Sequence, residues 1–200
     1  MIFRVNSDNP QLRLIRKAVD LLRDGEVIAL PTDTVYALGC RLTDKKAMHH
    51  LYQIKRVDKG HPMALLCADL KDIAFYAKVS NPNYKILRRY LPGPYTFILN
   101  ATREVPKLML MKQRTVGLRL PDNNIVQALV AELGEPVLTT SAELPDTGQF
   151  YDADEIEERI GKQLGCVIDG GICPDDRSTI VDLSSEEPVI LRQGKGEFYE

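Results

Sequence analysis

Hydroxyl and basic side chains recur at the ends of short apolar segments in this sequence. The set comprises Thr32, Thr34, Thr115, Arg119, Thr139, Ser141, Ser178 and Arg192. Strand ends of α/β sheets are where ligands usually bind. Hydroxyl and guanidinium groups without an evident nucleophile suit a site that binds anions and works by positioning and charge stabilisation. Phosphoryl or nucleotidyl transfer has those requirements, so this is the chemistry that the residue types predict.

Other classes of site have little support in the sequence. The histidines are His49, His50 and His61, and neither a serine triad nor a histidine-rich metal centre can be assigned among them. There is no Walker loop and no G-x-G-x-x-G motif. The four cysteines form no C-x-x-C pair, which favours reduced thiols in a cytoplasm. We therefore expect no metal and a cytoplasmic protein. No secretory signal and no apolar run long enough for a bilayer are visible, so no membrane contact is expected.

A net charge of −2 hides a strong asymmetry along the chain. Residues 41–119 carry 16 Lys and Arg against 5 Asp and Glu, whereas residues 120–200 carry 5 against 18. The basic segment predicts contact with phosphate or RNA. Its proposed RNA-binding residues, expected to share one positive face with Lys55, are Lys45, Lys46, Arg56, Lys85, Arg88 and Arg89. The alternative is that the acidic segment folds over the basic one and neutralises it.

Helical and strand-like segments alternate along the chain without a linker or repeat. Apolar spacing and capping residues predict helices over residues 12–22, 45–54, 81–90, 124–133 and 152–164. Short β-rich runs predict strands over residues 27–30, 63–67, 95–100, 116–120, 137–140, 166–169, 178–182 and 189–192. This alternation predicts one α/β domain over residues 1–200, built on a mixed sheet with flanking helices.

The segment from Pro31 to Gly39, PTDTVYALG, resembles the PT-[DE]-T-x-Y-x-LG signature of the YrdC-type superfamily. Further segments match in the same order, namely 91–96 (LPGPYT), 115–121 (TVGLRLP), 139–142 (TTSA), 178–182 (STIVD) and 191–194 (LRQG). Together they run across nearly the whole chain. The resemblance implies a twisted, open α/β sheet with a concave basic face.

The resemblance also implies a reaction and a set of site residues. YrdC-type enzymes make threonylcarbamoyl-adenylate from L-threonine, bicarbonate and ATP, the first step of a tRNA modification. ATP with Mg²⁺ would then be a substrate, and no tightly bound cofactor is expected. The residues carried over to the amino acid are Thr32, Thr34, Arg119, Thr139 and Ser178. Those carried over to the nucleotide are Lys55, Thr115, Ser141 and Arg192.

Three positions depart from the pattern of the synthases. Val57 stands where a K-x-R motif has Arg, His61 where an Asn precedes Pro, and Glu143 where an S-x-N motif has Asn. With these residues at the three positions, the chain resembles the YciO-type branch of the superfamily. A carboxylate about 4 Å from a phosphate would be repelled by about 4 kcal/mol at an effective dielectric near 20. We therefore expect weak or absent synthase activity, with Glu143 and Val57 as the cause.

Purely structural roles for the same residues remain possible alternatives to ligand binding. Thr32 and Thr34 could satisfy the backbone of a turn, Arg119 could belong to a structural ion pair, and Lys55 with Arg56 could be solvated charges at a helix end. Two other functions also remain. One is a double-stranded RNA-binding module that performs no chemistry, and the other is a hydrolase or ligase that acts on a different amino acid or carbamoyl donor.

Overall fold

The computed structural model describes residues 1–58, 60–109, 114–174 and 176–199. Its helices are α1 (Leu12–Arg23), α2 (Lys45–Lys55), α3 (Leu70–Tyr76), α4 (Asn81–Tyr90), α5 (Asn124–Leu133) and α6 (Ala153–Ile160). The strands are β1 (Ile2–Arg4), β2 (Ile28–Leu30), β3 (Ala37–Arg41), β4 (Ala64–Leu66), β5 (Tyr95–Asn100), β6 (Thr115–Arg119), β7 (Val137–Ser141), β8 (Glu143–Leu144), β9 (Gly148–Gln149), β10 (Cys166–Asp169), β11 (Thr179–Asp182) and β12 (Val189–Arg192). Short 3-10 turns lie at Lys107–Met109 and Gly161–Gln163.

Ten of the strands form one mixed sheet in the order β1-β10-β2-β3-β7-β4-β6-β5-β11-β12. Strand β4 pairs with β6 in parallel and with β7 in antiparallel fashion, so both pairing types meet at the centre. Strands β8 and β9 form a separate hairpin. The predicted α/β class with a mixed sheet and flanking helices is confirmed.

One face of the sheet, here called the closed face, is covered by α2, α3, α4 and α6. Successive residues of a strand point to opposite faces, and Leu38, Leu65, Phe97 and Leu118 point to this side. They form one continuous core with buried apolar residues of the four helices, among them Leu51 of α2. A covered face of this kind is what an apolar strand position requires, because burial removes its surface from water.

The opposite face is divided into two parts. Helices α1 and α5 pack over the half built from β1, β10, β2 and the adjoining strands, where Ile28, Leu30 and Ile168 meet Leu22 and Leu129. We call this the covered half. The strands β4, β6, β5, β11 and β12, with the Thr139–Ser141 end of β7, form the open half. Of the helices that the structure describes, α1 and α5 alone contribute to the core on this face.

Caps explain where the best predicted helices begin and end. The side chain of Asn123 accepts a hydrogen bond from Val126 N at 3.1 Å, and Gly134 closes α5 with φ +79°. The predicted bounds of this helix are confirmed. For α4 the predicted cap at Asn81 is wrong, since Ser80 caps the helix and Asn81 is its first residue.

Other differences lie in short elements without a clear period. Strand β3 was not predicted, because Ala37 and Gly39 interrupt any apolar alternation. Helix α3 has only 7 residues and was also missed. The predicted helix over residues 152–164 ends earlier, at Ile160, and continues as a 3-10 turn. No helix in the described part of the chain has the length and apolar character needed to cross a bilayer.

Candidate functional site

A cavity of about 430 Å³ lies on the open half of the sheet. Its floor is made of small residues on neighbouring strands, since Ala64 pairs with both Thr139 and Gly117. Its polar walls come from the strand ends and the loops beside them. The polar residues that line it are Thr34, His61, Thr96, Arg119, Thr139, Thr140, Ser141, Glu143, Arg177, Ser178 and Arg192.

Arg119 lines the cavity and forms an ion pair with Asp33. Arg119 donates from Nη2 to Asp33 Oδ1 at 2.8 Å and to Thr34 Oγ1 at 2.9 Å. Both charged side chains are nearly buried, at 10% and 7% exposure. Burial lowers the pKa of Arg119, while the charge of Asp33 opposes that shift. The structural ion pair left open by the sequence therefore exists, and its arginine lines the cavity.

Neither Thr32 nor Lys55 is among the residues that line the cavity. Thr32 Oγ1 donates to Val35 O at 2.7 Å and accepts from Thr34 N at 3.1 Å, which holds the turn. Lys55 Nζ donates to the backbone oxygens of Ser141 and Glu143 at 3.0 and 2.8 Å. The ligand roles of Thr32 and Lys55 stay predictions, since neither is among the lining residues and both donate to backbone oxygens.

Arg192 and Ser178 form a second polar cluster on the wall. The guanidinium of Arg192 donates to Ser178 O at 3.0 and 2.9 Å and to Ser178 Oγ at 3.2 Å. Ser178 Oγ also lies 2.8 Å from Thr96 Oγ1. Burial lowers the pKa of Arg192, and the positive charges of Arg177 and Arg119 lower it further. The cavity therefore concentrates positive charge.

Of the remaining predicted residues, those on β7 line the cavity and the one at the start of β6 does not. Thr139 and Ser141 of β7 line the cavity, and Thr139 Oγ1 donates to Ala64 O at 3.1 Å. Thr115 begins β6 at the end away from Arg119, is buried, and is not among the lining residues. Its hydroxyl has no hydrogen-bond partner within the described part of the chain. The nucleotide role predicted for Thr115 thus lacks a place in this cavity.

Glu143 carries a compensated charge. Arg177 Nη2 donates to Glu143 Oε2 at 2.5 Å, and both residues line the cavity. The expected uncompensated repulsion of a phosphate is therefore not supported, because the neighbouring cation neutralises the carboxylate. Beside them stands His61, whose pKa is lowered first by burial and then by the charge of Lys55, with Glu143 opposing.

Val57 does not lie at the cavity. It follows α2 and packs, half-buried, against the core on the closed face. The hypothesis that Val57 removes a positive charge from the phosphate site is not supported by this placement.

Three functional candidates were missed by the sequence reasoning. Asp33 is absent from the predicted site residues, although it lies within the PTDTVYALG segment. Arg177 precedes the STIVD segment by one residue, and a lone arginine in an acidic stretch gave no signal. Lys195 donates from Nζ to Asp33 O at 2.7 Å, which connects the C-terminal segment to the turn.

The predicted basic residues lie on the other side of the sheet. Lys45 and Lys46 begin α2, while Lys85, Arg88 and Arg89 are exposed on α4. Helix α2 packs on β3 and α4 lies beside β5, four strands away, a separation of roughly 19 Å. The residues therefore share a layer but form two groups, and a single positive face stays a prediction.

Part of the basic segment is neutralised, as the alternative expected. Arg56 pairs with Asp146 at 2.6 Å, and Arg41 pairs with Glu135 at 2.5 Å. Among the described residues, the lysines and arginines at 45, 46, 85, 88 and 89 have no ion pair. The predicted concave basic face is instead supplied by the arginines of the cavity.

Comparisons with known proteins agree with this geometry. Residues 20–194 match the model of the Sua5/YciO/YrdC family, described as telomere recombination. The uncharacterised protein YciO of Escherichia coli is 43% identical over 198 residues, which cover 98% of this chain and 96% of YciO. Its crystal structure superposes with a TM-score of 0.93 at 42% identity, over 98% of this chain and 97% of YciO.

Synthases are also among the similar proteins. Threonylcarbamoyl-AMP synthase of Vibrio vulnificus is 30% identical over 184 residues, covering 90% of this chain and 98% of the synthase. The structure of P. abyssi Sua5 complexed with L-threonine has a TM-score of 0.90 at 28% identity, over 97% of this chain and 57% of Sua5. The resemblance read from the motifs is confirmed. The chain belongs to the Sua5/YciO/YrdC family and is related to threonylcarbamoyl-AMP synthase.

Proposed function

We propose that the cavity binds a nucleotide together with an amino acid. The observation that carries this proposal is the convergence of Arg119, Arg177 and Arg192 on one cavity. Their mutual repulsion and burial lower the pKa of Arg192, and an anion among them would relieve both costs. Phosphate and carboxylate groups match guanidinium geometry in bidentate fashion.

The two ligands divide the cavity between them. The amino acid carboxylate is assigned to Arg119, with the hydroxyls of Thr34, Thr139 and Ser178 nearby. Support comes from the Arg119 Nε atom, which is buried and has no hydrogen-bond partner within the described part of the chain. The phosphate is assigned to Arg192 and the hydroxyl of Ser141, since both line the same wall as Arg177. ATP with Mg²⁺ enters this scheme as a substrate, and the setting is a cytoplasm.

Synthase activity is expected to be weak. Arg177 is paired with Glu143 and Arg119 with Asp33. Arg192 also lines the cavity and makes no ion pair with the residues that the structure describes, so it contributes the main free positive charge. A triphosphate carries more negative charge than one such arginine can offset. The cavity should therefore bind AMP readily and ATP only with Mg²⁺.

Calorimetric titration of AMP and of ATP with Mg²⁺ tests the proposal. Arg192→Gln should weaken AMP binding by about tenfold or more, because a charged hydrogen-bonding partner is lost. Arg13→Gln is the matched control, since Arg13 is exposed on α1 at the far side of the covered half. Equal affinity in all three proteins, or no AMP binding by the unmodified chain, would contradict the proposal.

Pyrophosphate release over a matrix of ATP, Mg²⁺, bicarbonate and amino acids tests the chemistry separately. A synthase-like enzyme releases pyrophosphate only when threonine and bicarbonate are both present. Release with a different amino acid would instead indicate the ligase alternative. Absence of release together with AMP binding would leave a nucleotide-binding protein without this chemistry.

A second candidate function is binding of double-stranded RNA. It is favoured by the exposed basic side chains on α4, which make no ion pair with the described residues. Duplex RNA is recognised mostly through its shape and phosphates. Filter binding should then show affinity that falls with salt, and Lys85→Ala with Arg89→Ala should weaken it. Binding that is absent at low salt, or insensitive to salt, would contradict this function.

A further inference from the structure

A second concave surface lies at the end of β6 away from Arg119. Its main residues are Phe75 and Lys78, which lie in and just after α3, with Arg103 and Arg114 from the segments next to β5 and β6. We call this surface the basic cleft, and its volume is about 980 Å³. Strand β6 spans roughly 13 Å, so the basic cleft is separate from the nucleotide cavity.

Three of the four charged side chains that line the basic cleft are positive. Lys78, Arg103 and Arg114 are exposed, and Glu104 is the acidic residue that lines the same surface. Within the described ranges, none of the three cations makes an ion pair. In the nucleotide cavity, by contrast, Arg119 and Arg177 each have a carboxylate partner. The cations of the basic cleft are therefore available to bind the phosphates of a polyanion.

An exposed aromatic ring stands beside these charges. Phe75 is 56% exposed, and its ring packs edge-on against Tyr76 with centroids 5.0 Å apart. Its backbone is held in place, because Thr102 Oγ1 donates to Phe75 O at 2.8 Å. A fixed aromatic face next to cations is the combination that binds single strands, where bases stack on the ring and phosphates meet the charges.

We propose that the basic cleft binds single-stranded nucleic acid, with a base stacked on Phe75 and phosphates at Lys78, Arg103 and Arg114. A duplex would not provide an unstacked base for the ring, so the geometry favours a single strand. This surface is distinct from α4, where duplex binding is assigned, and from the cavity. The buried core does not depend on the side chains that make up the cleft, since all four are exposed.

Fluorescence anisotropy of a short labelled oligouridylate tests the proposal. Phe75→Ala should weaken binding by roughly tenfold with little change in salt dependence, because stacking is lost. Lys78→Ala combined with Arg103→Ala should weaken binding and reduce the salt slope by about 1.4, since each phosphate contact on a single strand contributes about 0.7. The matched control is Arg13→Ala combined with Lys17→Ala, which removes the same charge from exposed positions on α1.

The outcomes separate this site from the others. Unchanged binding in the control, with loss in both cleft variants and normal AMP titration, supports the proposal. Equal weakening by the control would indicate non-specific attraction and would overturn it. So would unchanged binding in Phe75→Ala, a preference of the cleft for duplex RNA, or no binding by the unmodified chain at low salt. AMP binding is measured in every variant, so failure of the nucleotide proposal would be seen independently.

Discussion

Two halves of one sheet face differ in what covers them. In the covered half, Ile28, Leu30 and Ile168 point at α1 and α5 and are fully buried. In the open half, the equivalent positions on β6 are Gly117 and Arg119, and they face the cavity. The backbone pattern is the same, and the change from large apolar to small or charged side chains decides which half becomes a core and which a site.

Polar groups in the open half are stabilised by pairing with one another. Asp33 offsets Arg119, Glu143 offsets Arg177, and Ser178 accepts from Arg192. A buried charge without a partner is costly, whereas packed apolar side chains need no partner. The two halves should therefore respond to substitution in different ways, and four predictions examine that difference.

The largest effect is expected from Asp33→Asn. It leaves the guanidinium of Arg119 nearly buried beside a neutral group, and loss of one partner of such a pair costs about 3–5 kcal/mol. Urea unfolding measures the change. Asp33→Asn combined with Arg119→Met should recover much of the loss, because no unpaired charge remains. A double variant as unstable as the single one would show that the pair does not act through its charges.

In the covered half, Leu22→Ala should lower the free energy of unfolding by about 3 kcal/mol. Leu22 is fully buried between α1 and the sheet. Leu191→Ala is the control in the open half, where the side chain is 55% exposed, and its cost should stay below about 1 kcal/mol. Similar losses in both variants would mean that the open half is packed as tightly as the covered one.

Glu143→Asn should tighten binding of ATP with Mg²⁺ by about tenfold, because it frees Arg177 to meet phosphate. Adding Val57→Arg should give no further gain, since Val57 packs on the closed face. Calorimetry of the single and double variants separates the two substitutions. Weaker ATP binding in Glu143→Asn would show that the carboxylate serves the ligand, through a metal or a cationic group.

The smallest effect concerns pH. The pKa of His61 is lowered by burial and by Lys55, so the ring of the free protein is neutral near pH 7. A bound anion favours the protonated ring and raises that pKa, so AMP affinity should increase modestly as the pH falls from 7 through the lowered pKa of His61. His61→Asn removes this contribution. Protonation of AMP itself affects both proteins equally, so the difference between their pH profiles of AMP affinity reports His61 alone. Identical pH profiles would exclude coupling through His61.

Most long elements could be predicted from the sequence because their signals are local. Asn124–Leu133 combines an apolar period with a cap at each end, and its bounds are confirmed. Strand β3 could not be predicted, since it is defined by its pairing with β2 and β7 and has no pattern of its own.

The site was predicted in part for a similar reason. The motifs identified Arg119, Ser141 and Arg192, which do line one cavity. Residue type does not show whether a side chain faces a cavity or the backbone behind it. Thr32 and Lys55 were therefore assigned to ligands although backbone oxygens hold them. Arg177 owes its importance to a contact with Glu143 that no spacing reveals.

Methyl NMR during titration with AMP tests most directly whether the open half of the sheet face holds a nucleotide site and the covered half does not. Ile98, Ile180 and Leu191 line the cavity, while Leu22 and Leu129 lie in the core of the covered half. We predict that AMP shifts the methyl signals of the first group and leaves those of the second group unchanged. Shifts confined to the covered half, or no shift in any of the five residues at saturating AMP, would contradict a nucleotide site on the open half.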